Sequence, residues 1–579
     1  MIDRARLFTA DRPRRPNVMA RDHVVVSGHY WASLAGLQVL EAGGNAVDAG
    51  VATGLAIDVL ESQYVGFGGV APIMLYLAER NEVVVVSGVG PWPAAAHAEY
   101  FHTHHDGRIP DGILHTVVPA ASANWIAALE RYGTMSFGEV AAAAIRFARD
   151  GFPTYPFLAE IIAAKQNEIQ QWPDTAAIFL PGGRVPDVGT PFVQADLAAT
   201  LQYMVDEERS SEGRRAGLRA AHDAFYRGDI AAAIAQHQRA NGGWLTADDL
   251  AAFQARFEPP CRGTFRGTDI FACGPWSQGP MLLEALNIIE PLDLRAMGHN
   301  SAEYIHAVVE ALKIAAADRE AWFGDPDFED VPLKILLSEP YTATRRALFD
   351  PRRAWPMMPP AGDAGRPARP WHPDPSAAGH AGSARPATSF LCIADRHGNI
   401  FAATPSDGTI GGPVVPGTGI LPSMWGSRGY TAPDHPARIG PGRRPRMSAN
   451  PAIAIRPGEW IMPFGSPGSE VLGQAMVQAF LNMTVFGMDP QSAVEAPRVA
   501  SYSWPESALP HSYRPGRLNV EADIGEDVIV TLAALGHVIE RWPARKYLAG
   551  SVCTILSDQP SGVKWAGADP RRTAYAIGW

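Results

Sequence analysis

The residues best suited to chemistry lie at Ala387-Thr388-Ser389-Phe390-Leu391-Cys392-Ile393-Ala394-Asp395. A threonine hydroxyl is a weak nucleophile unless a base sits beside it. A threonine that becomes a chain terminus carries that base itself, because its α-amine has a reference pKa of about 7.7–8.0 and can take the hydroxyl proton. Thr388 follows a Pro/Gly/Ala-rich stretch, Pro351 to Pro386, that reads as too irregular to pack and therefore open to cleavage. After Thr388 come β-formers (Phe390, Cys392, Ile393), the turn residues His397-Gly398-Asn399, and a returning strand from Ile400 to Thr404. On its own the stretch reads first as a linker followed by an ordinary buried strand, and the rest of the chain is needed to reverse that.

A second chemical signal is the loop Gly465-Ser466-Pro467-Gly468-Ser469-Glu470 ahead of a helix from Val471 to Phe480. A Gly-rich loop at a helix start aims unpaired N–H groups outward, the geometry of an oxyanion hole. It lacks the Gly-Lys-Ser/Thr of a phosphate loop. Metal chemistry is poorly supported. His102, His104, His105 and Asp106 read as a polar loop without ligand spacing, and His306 and Glu310 share a helix face at i, i+4 without a third ligand.

Elements able to position these residues are readable along the chain. A helix from Ser27 to Leu40 stops at Gly43-Gly44, and Asn45 caps a second, Ala46 to Leu60. Gly66-Phe67-Gly68-Gly69 reads as a tight turn before strands at Ile73 to Leu77 and Glu82 to Val86. The region from Ala120 to Leu250 is helical, with Thr246 a cap, and Ser301 to Trp322 is a long amphipathic helix.

The chain has 579 residues, 46% of them hydrophobic and 19% charged, which is globular composition. A net charge of −11 leaves no basic footprint for nucleic acid or an anionic membrane. The four cysteines (Cys261, Cys273, Cys392, Cys553) form no CxxC pair, consistent with a reduced compartment. With no apolar signal region and no membrane-length stretch, the expectation is a cytoplasmic protein.

Taken together, Gly43-Gly44-Asn45-Ala46-Val47-Asp48-Ala49, Gly66-Phe67-Gly68-Gly69, Tyr226-Arg227-Gly228-Asp229, Gly243-Trp244-Leu245-Thr246, Gly324-Asp325-Pro326, Thr388 to Asp395 with Gly398-Asn399, Arg444-Pro445, Gly465-Ser466-Pro467-Gly468 and Asp569-Pro570-Arg571 resemble the γ-glutamyltranspeptidase family of N-terminal nucleophile hydrolases nearly end to end. The resemblance implies an α/β (α+β) fold, a four-layer αββα sandwich. It implies a proenzyme that cuts itself before Thr388 into segments 1–387 and 388–579, which stay associated as one unit with no cofactor or metal; a homodimer is left open. Ser406 falls where the family has a hydroxyl bonded to the nucleophile, and the Gly468 and Ser469 amides fall at the oxyanion hole.

Departures from the pattern bear on substrate. The family's carboxylate-binding arginine is absent from Ser87-Gly88-Val89-Gly90-Pro91-Trp92-Pro93, and its amine-binding acid is absent from Pro422 to Arg428. Of its paired serines only Ser448 remains, beside Met447. Arg428, with Arg446 as a second candidate, gives positive character instead, so the expected substrate is a small amide bearing a carboxylate and no ammonium group, oxamate-like. Trp92, Met424 and Trp425 suggest an apolar acyl pocket, and hence a β-lactam side-chain acylase as the next reading. A true γ-glutamyl hydrolase or transferase, and an unprocessed binding protein, are the remaining alternatives.

Overall fold

The computed structural model describes residues 14–370 and 388–579. Two seven-stranded antiparallel sheets carry the molecule. One runs Tyr575–Gly578, Val24–Ser27, Leu391–Ala394, Ile400–Ala403, Ile73–Leu77, Glu82–Val86, Phe257–Glu258. The other runs Val18–Ala20, Lys564–Ala568, Cys553–Asp558, Trp460–Gly465, Ala452–Arg456, Thr268–Ala272, Cys261–Phe265.

The period-2 alternation of these strands decides the layering. Val25, Leu391, Ile393, Phe401, Ile73 and Leu75 face helices that include Ala46–Leu60 and Ala121–Tyr132. Their neighbours Val24, Val26, Cys392, Ile400, Ala402 and Met74 face Ile453, Ile461, Cys553, Ile555 and Ala566 of the second sheet. That sheet's other face, with Ile270, Ala454, Met462 and Phe464, packs on helices Gly279–Ile289, Ala302–Trp322 and Val471–Thr484. The result is the four-layer αββα sandwich. Strands from both sides of position 388 interleave in both of these sheets, so neither is built from one half alone.

Several elements follow the sequence reading. The helix Ala46–Leu60 is buried along its whole length and opens with Asn45 and Asp48 in a reciprocal capping box. Asp395, in the turn after Leu391–Ala394, accepts a hydrogen bond from the Ala46 amide at 3.0 Å and so ties the hairpin to that helix. Thr246 caps Ala247–Ala252, and Ser301 caps Ala302–Trp322.

Others differ. Ser27 belongs to a strand, and the first helix is Tyr30–Glu41. Gly66 to Gly69 form no turn but lie within the strand Val65–Val70, which pairs with Ser406–Asp407. Close approach, not turning, explains the glycines: a Cβ on Gly69 would sit 2.4 Å from the Ser406 carbonyl oxygen, and one on Gly68 2.3 Å from that of Leu421. His102 and His104 lie on the helix Ala98–His104, where their ring nitrogens meet the carbonyls of Thr431 and Tyr100. The first part of the stretch read as unpacked is irregular yet anchored, with the Trp355 amide on Glu310 (2.9 Å) and the Gly362 amide on Asp318 (2.8 Å). The rest of that stretch, with Ala387, lies outside the described residues. Among the described residues no helix is long and apolar enough to cross a membrane.

Candidate active site

Thr388 is buried and bridges antiparallel to Ser406, with its Oγ1 2.9 Å from the Ser406 Oγ. Hairpin register produces this meeting. Leu391 pairs with Ala403, so extending both strands brings Thr388 opposite Ser406. The Ser389 amide donates to Pro405 O at 2.9 Å, and Ser406 is held from its other side by Val70 of the glycine strand. The two hydroxyls are therefore positioned by backbone pairing within the hairpin and with the glycine strand.

The loop ahead of helix Val471–Thr484 approaches from the second sheet. Pro467 lines a small void together with Thr388, Ser389, Glu61, Ser551 and Arg572. Gly465 packs against Phe390 so closely that a Cβ there would meet the ring at 2.2 Å. Gly468 (φ 133°) and Ser469 (φ 54°) turn the chain into the helix through left-handed backbone, and among the described residues neither amide has an acceptor. The loop is tied down by Ser466, whose Oγ accepts from the Ser551 amide at 3.0 Å, and by Glu470. Glu470 is buried, receives the Ser507 amide (2.7 Å), Gln278 and Trp504, and pairs with Arg319. Burial pushes its carboxyl pKa up, but Arg319 and Ser507 outweigh that and hold it below the usual range. Nothing in the local sequence marks Glu470 or Arg319, which lie 151 residues apart.

Beyond Ser406 the chain enters a cavity of about 60 Å³ lined by residues that include Asp407, Met424, Ser427, Arg428, His115 and Lys165. Arg428 is buried; its guanidinium stacks 3.5 Å above the Trp425 ring, and Nη1 donates to Ser427 Oγ at 3.1 Å. Asp407 is the residue the sequence reading missed. Its backbone is left-handed (φ 78°) at a bulge against Val65–Val70, and this aims a carboxylate into the cavity, where it accepts from Ser423 Oγ at 2.6 Å. Burial raises its pKa, and Ser423 and Arg428 pull it back. Nothing in the local sequence marks it, because the bulge that turns its backbone exists only once Ser406–Asp407 pairs with Val65–Val70.

The remaining candidates separate from this cavity. Trp425 and Trp92 are fully buried behind its wall and line none of it; the rings of Trp92 and the glycines Gly426 and Gly429 meet so closely that they set the course of the 426–429 turn. Trp92 instead lines a separate cleft with Ser87, Asp325 and Arg444. Arg446 is spent on structure, pairing with Glu320 and donating to Arg319 O at 2.9 Å. The Ser448 Oγ is buried without a hydrogen-bond partner among the described residues.

One cluster outside the site gathers metal-ligand types: His306, Glu310 and His537. His537 is the third residue the sequence did not show. The cluster's charge is already supplied, since the Lys313 ammonium sits 2.8 Å from Glu310, while His306 bonds both His537 and the Asp350 carbonyl. It reads as a satisfied core network.

The four-layer αββα sandwich is the fold of N-terminal-nucleophile amide hydrolases. The Gamma-glutamyltranspeptidase family model matches residues 32–579, and the chain belongs to that family. Acylase ACY 1 proenzyme of Pseudomonas sp. (strain SE83) is 33% identical over 536 residues, covering 90% of this chain and 88% of the relative. Oxamate amidohydrolase proenzyme of Klebsiella pneumoniae is 27% identical over 568 residues, covering 96% and 98%. The solved structure of LmbA2991T421A superposes with a TM-score of 0.90 at 32% identity, covering 98% of this chain and all of that one. Relatives of this family described as proenzymes, together with this fold, make the protein an amidohydrolase of the γ-glutamyltransferase family acting on small molecules.

Proposed function

We propose that the chain is cut before Thr388 and that Thr388 is the nucleophile of a small-amide hydrolase. The cut frees the α-amine. The Thr388 hydroxyl then attacks the substrate carbonyl, its proton passing to that amine; the new O–C bond forms an oxyanion that the Gly468 and Ser469 amides stabilise. The scissile C–N bond breaks as the amine returns the proton to the leaving nitrogen, giving an ester. Water cleaves the ester by the reverse proton path and regenerates the hydroxyl. Ser406 orients Thr388 Oγ1. The observation that carries this reading is the 2.9 Å contact between Thr388 and Ser406, set by two backbone pairings, the hairpin register that places the two residues opposite each other and the glycine strand beyond Ser406.

The cavity past Ser406 favours an acyl group bearing a carboxylate, with Arg428 and Lys165 among its lining residues. Asp407 faces Arg428, so a substrate carboxylate competes with it, and a compact acyl group is favoured by a cavity of about 60 Å³. An oxamate-like amide or dicarboxylic mono-amide fits, and the Klebsiella relative's name agrees. The acylase relative keeps the β-lactam side-chain acylase reading second.

Wild-type protein is expected as two fragments, the smaller beginning at Thr388, and Thr388→Ala as one inactive chain of 62.2 kDa by intact mass. An uncleaved wild type that hydrolyses amides refutes the mechanism. For substrate, glutaryl-p-nitroanilide should exceed γ-glutamyl-p-nitroanilide in kcat/KM. Arg428→Ala should remove that preference; equal preference in both proteins would overturn the pocket reading.

A further inference from the structure

The void beside Thr388 holds a guanidinium and a carboxyl that the mechanism above does not use; burial raises the Glu61 carboxyl pKa, and Ser389, Arg572 and Thr573 pull it back. Arg572 is 7% exposed, and its Nη1 donates to the Thr388 carbonyl at 3.1 Å. Its Nε and Nη2 have no hydrogen-bond partner among the described residues. Glu61, at the end of helix Ala46–Leu60, is 2% exposed and accepts from Ser389 Oγ and, at 3.4 Å, from Thr573 Oγ1. At about 10 Å³ the void is too small for a substrate, so these groups act on Thr388 itself.

Both are rigidly held. Residues on either side of Arg572 are anchored: Arg571 is buried in a network with Glu521 and Asp569, and Thr573 Oγ1 donates to Gly28 O at 2.7 Å. The Arg572 guanidinium lies 4.9 Å from the centre of the Tyr64 ring. Gly28 leaves the space for Glu61 to reach Ser389; a Cβ there would lie 2.2 Å from the Glu61 carboxylate.

We propose that Arg572 is a positioning residue that keeps the α-amine of the cleaved Thr388 unprotonated near neutral pH, with Glu61 as the opposing charge that limits this effect. The proposal rests on Thr388 being the terminal nucleophile. A guanidinium stays charged at any working pH, and a like charge disfavours the ammonium form of an amine one residue's breadth away. A terminal amine that ionises near pH 8 would be mostly protonated, and useless as a base, at pH 7. Arg572 lowers that value and, through the Thr388 carbonyl, holds the new chain end after its covalent tether is lost. Other ionisable groups around the residue weigh less. His29 is pushed down to about 3 by burial and stays neutral, the buried Cys553 thiol and Tyr64 phenol are pushed up and stay protonated, and Asp407 is engaged by Ser423. Asp569 and Arg571 compensate each other.

The test uses mature protein, cleavage verified by mass, with kcat/KM for glutaryl-p-nitroanilide measured across pH. The acid limb should move up by about one pH unit in Arg572→Met and stay within a few tenths in Arg572→Lys. Glu61→Gln, which keeps the hydrogen bonds to Ser389 and Thr573, should move it down. An unmoved limb in Arg572→Met, or in Glu61→Gln alone should Arg572→Met fail to mature, overturns the proposal, as does movement of both in one direction. Activity surviving in Thr388→Ala would instead refute the nucleophile reading beneath it; a dead Thr388→Ala with coincident limbs refutes only the role of Arg572.

Discussion

Replacing Gly69 by alanine probes whether the glycine strand exists to let Ser406 meet Thr388. The added Cβ would lie 2.4 Å from Ser406 O and 3.0 Å from both the Asp407 Cβ and Gly66 O. The nearest of these is backbone, which cannot rotate aside as a flexible side chain would. Ordinary non-bonded contact requires the Ser406 backbone to retreat by about 1 Å. The Thr388–Ser406 hydroxyl contact is 2.9 Å, so that retreat takes it beyond hydrogen-bond range. A 1 Å misplacement in a reacting constellation costs on the order of 10² in rate, while the overpacking itself costs about 1–3 kcal/mol of stability. Gly69→Ala should therefore fold with a modestly lower urea midpoint, cleave slowly before Thr388, and, once matured, show a kcat lowered about a hundredfold with KM little changed. Ser406→Ala should reproduce the kcat loss without the stability loss. Gly69→Ala that matures normally and keeps kcat within twofold would show that the strand tolerates the methyl and that the glycine does not position Ser406.

In the loop before helix Val471–Thr484, Ser469→Ala should keep most activity, because only its amide is assigned a role. Ser469→Pro should lose at least about 10²–10³ in kcat, since it removes that donor and proline's φ near −65° conflicts with the observed 54°; equal losses for both would assign the work to the hydroxyl. Arg319→Met leaves Glu470 and Glu320 buried without their shared guanidinium, and should cost about 3–5 kcal/mol in urea unfolding. Because Glu470 is held below its ordinary carboxylate range, its contribution to stability is fully present above that range and lost as pH falls through the lowered folded value. The acid-side fall in unfolding free energy should thus be shallower in Arg319→Met; an unchanged profile would show that the pair carries no such linkage.

What the sequence determined by itself is local. Ala46–Leu60 was readable because Asn45 and Asp48 satisfy the helix's first amides within three residues, and the strands around Leu391 and Ile400 because β-formers flank a turn. The resemblance of ordered motifs carried the αββα layering, Thr388 and Ser406. Gly66 to Gly69 were misread because glycine signals both turning and close approach, and only Ser406 and Leu421, more than 300 residues on, distinguish the two. Arg428 and Arg446 look alike in the sequence, yet one lines a cavity and the other is consumed by Glu320. Asp407, Glu61 and Arg572 carried no local signature, since what gives them meaning is a group brought beside Thr388 or Arg428 by tertiary packing. Local hydrogen bonding and side-chain alternation are written along the chain. Which buried charges meet is decided only when the two sheets close on each other, because at those sequence separations nothing but the packed core holds the partners in place.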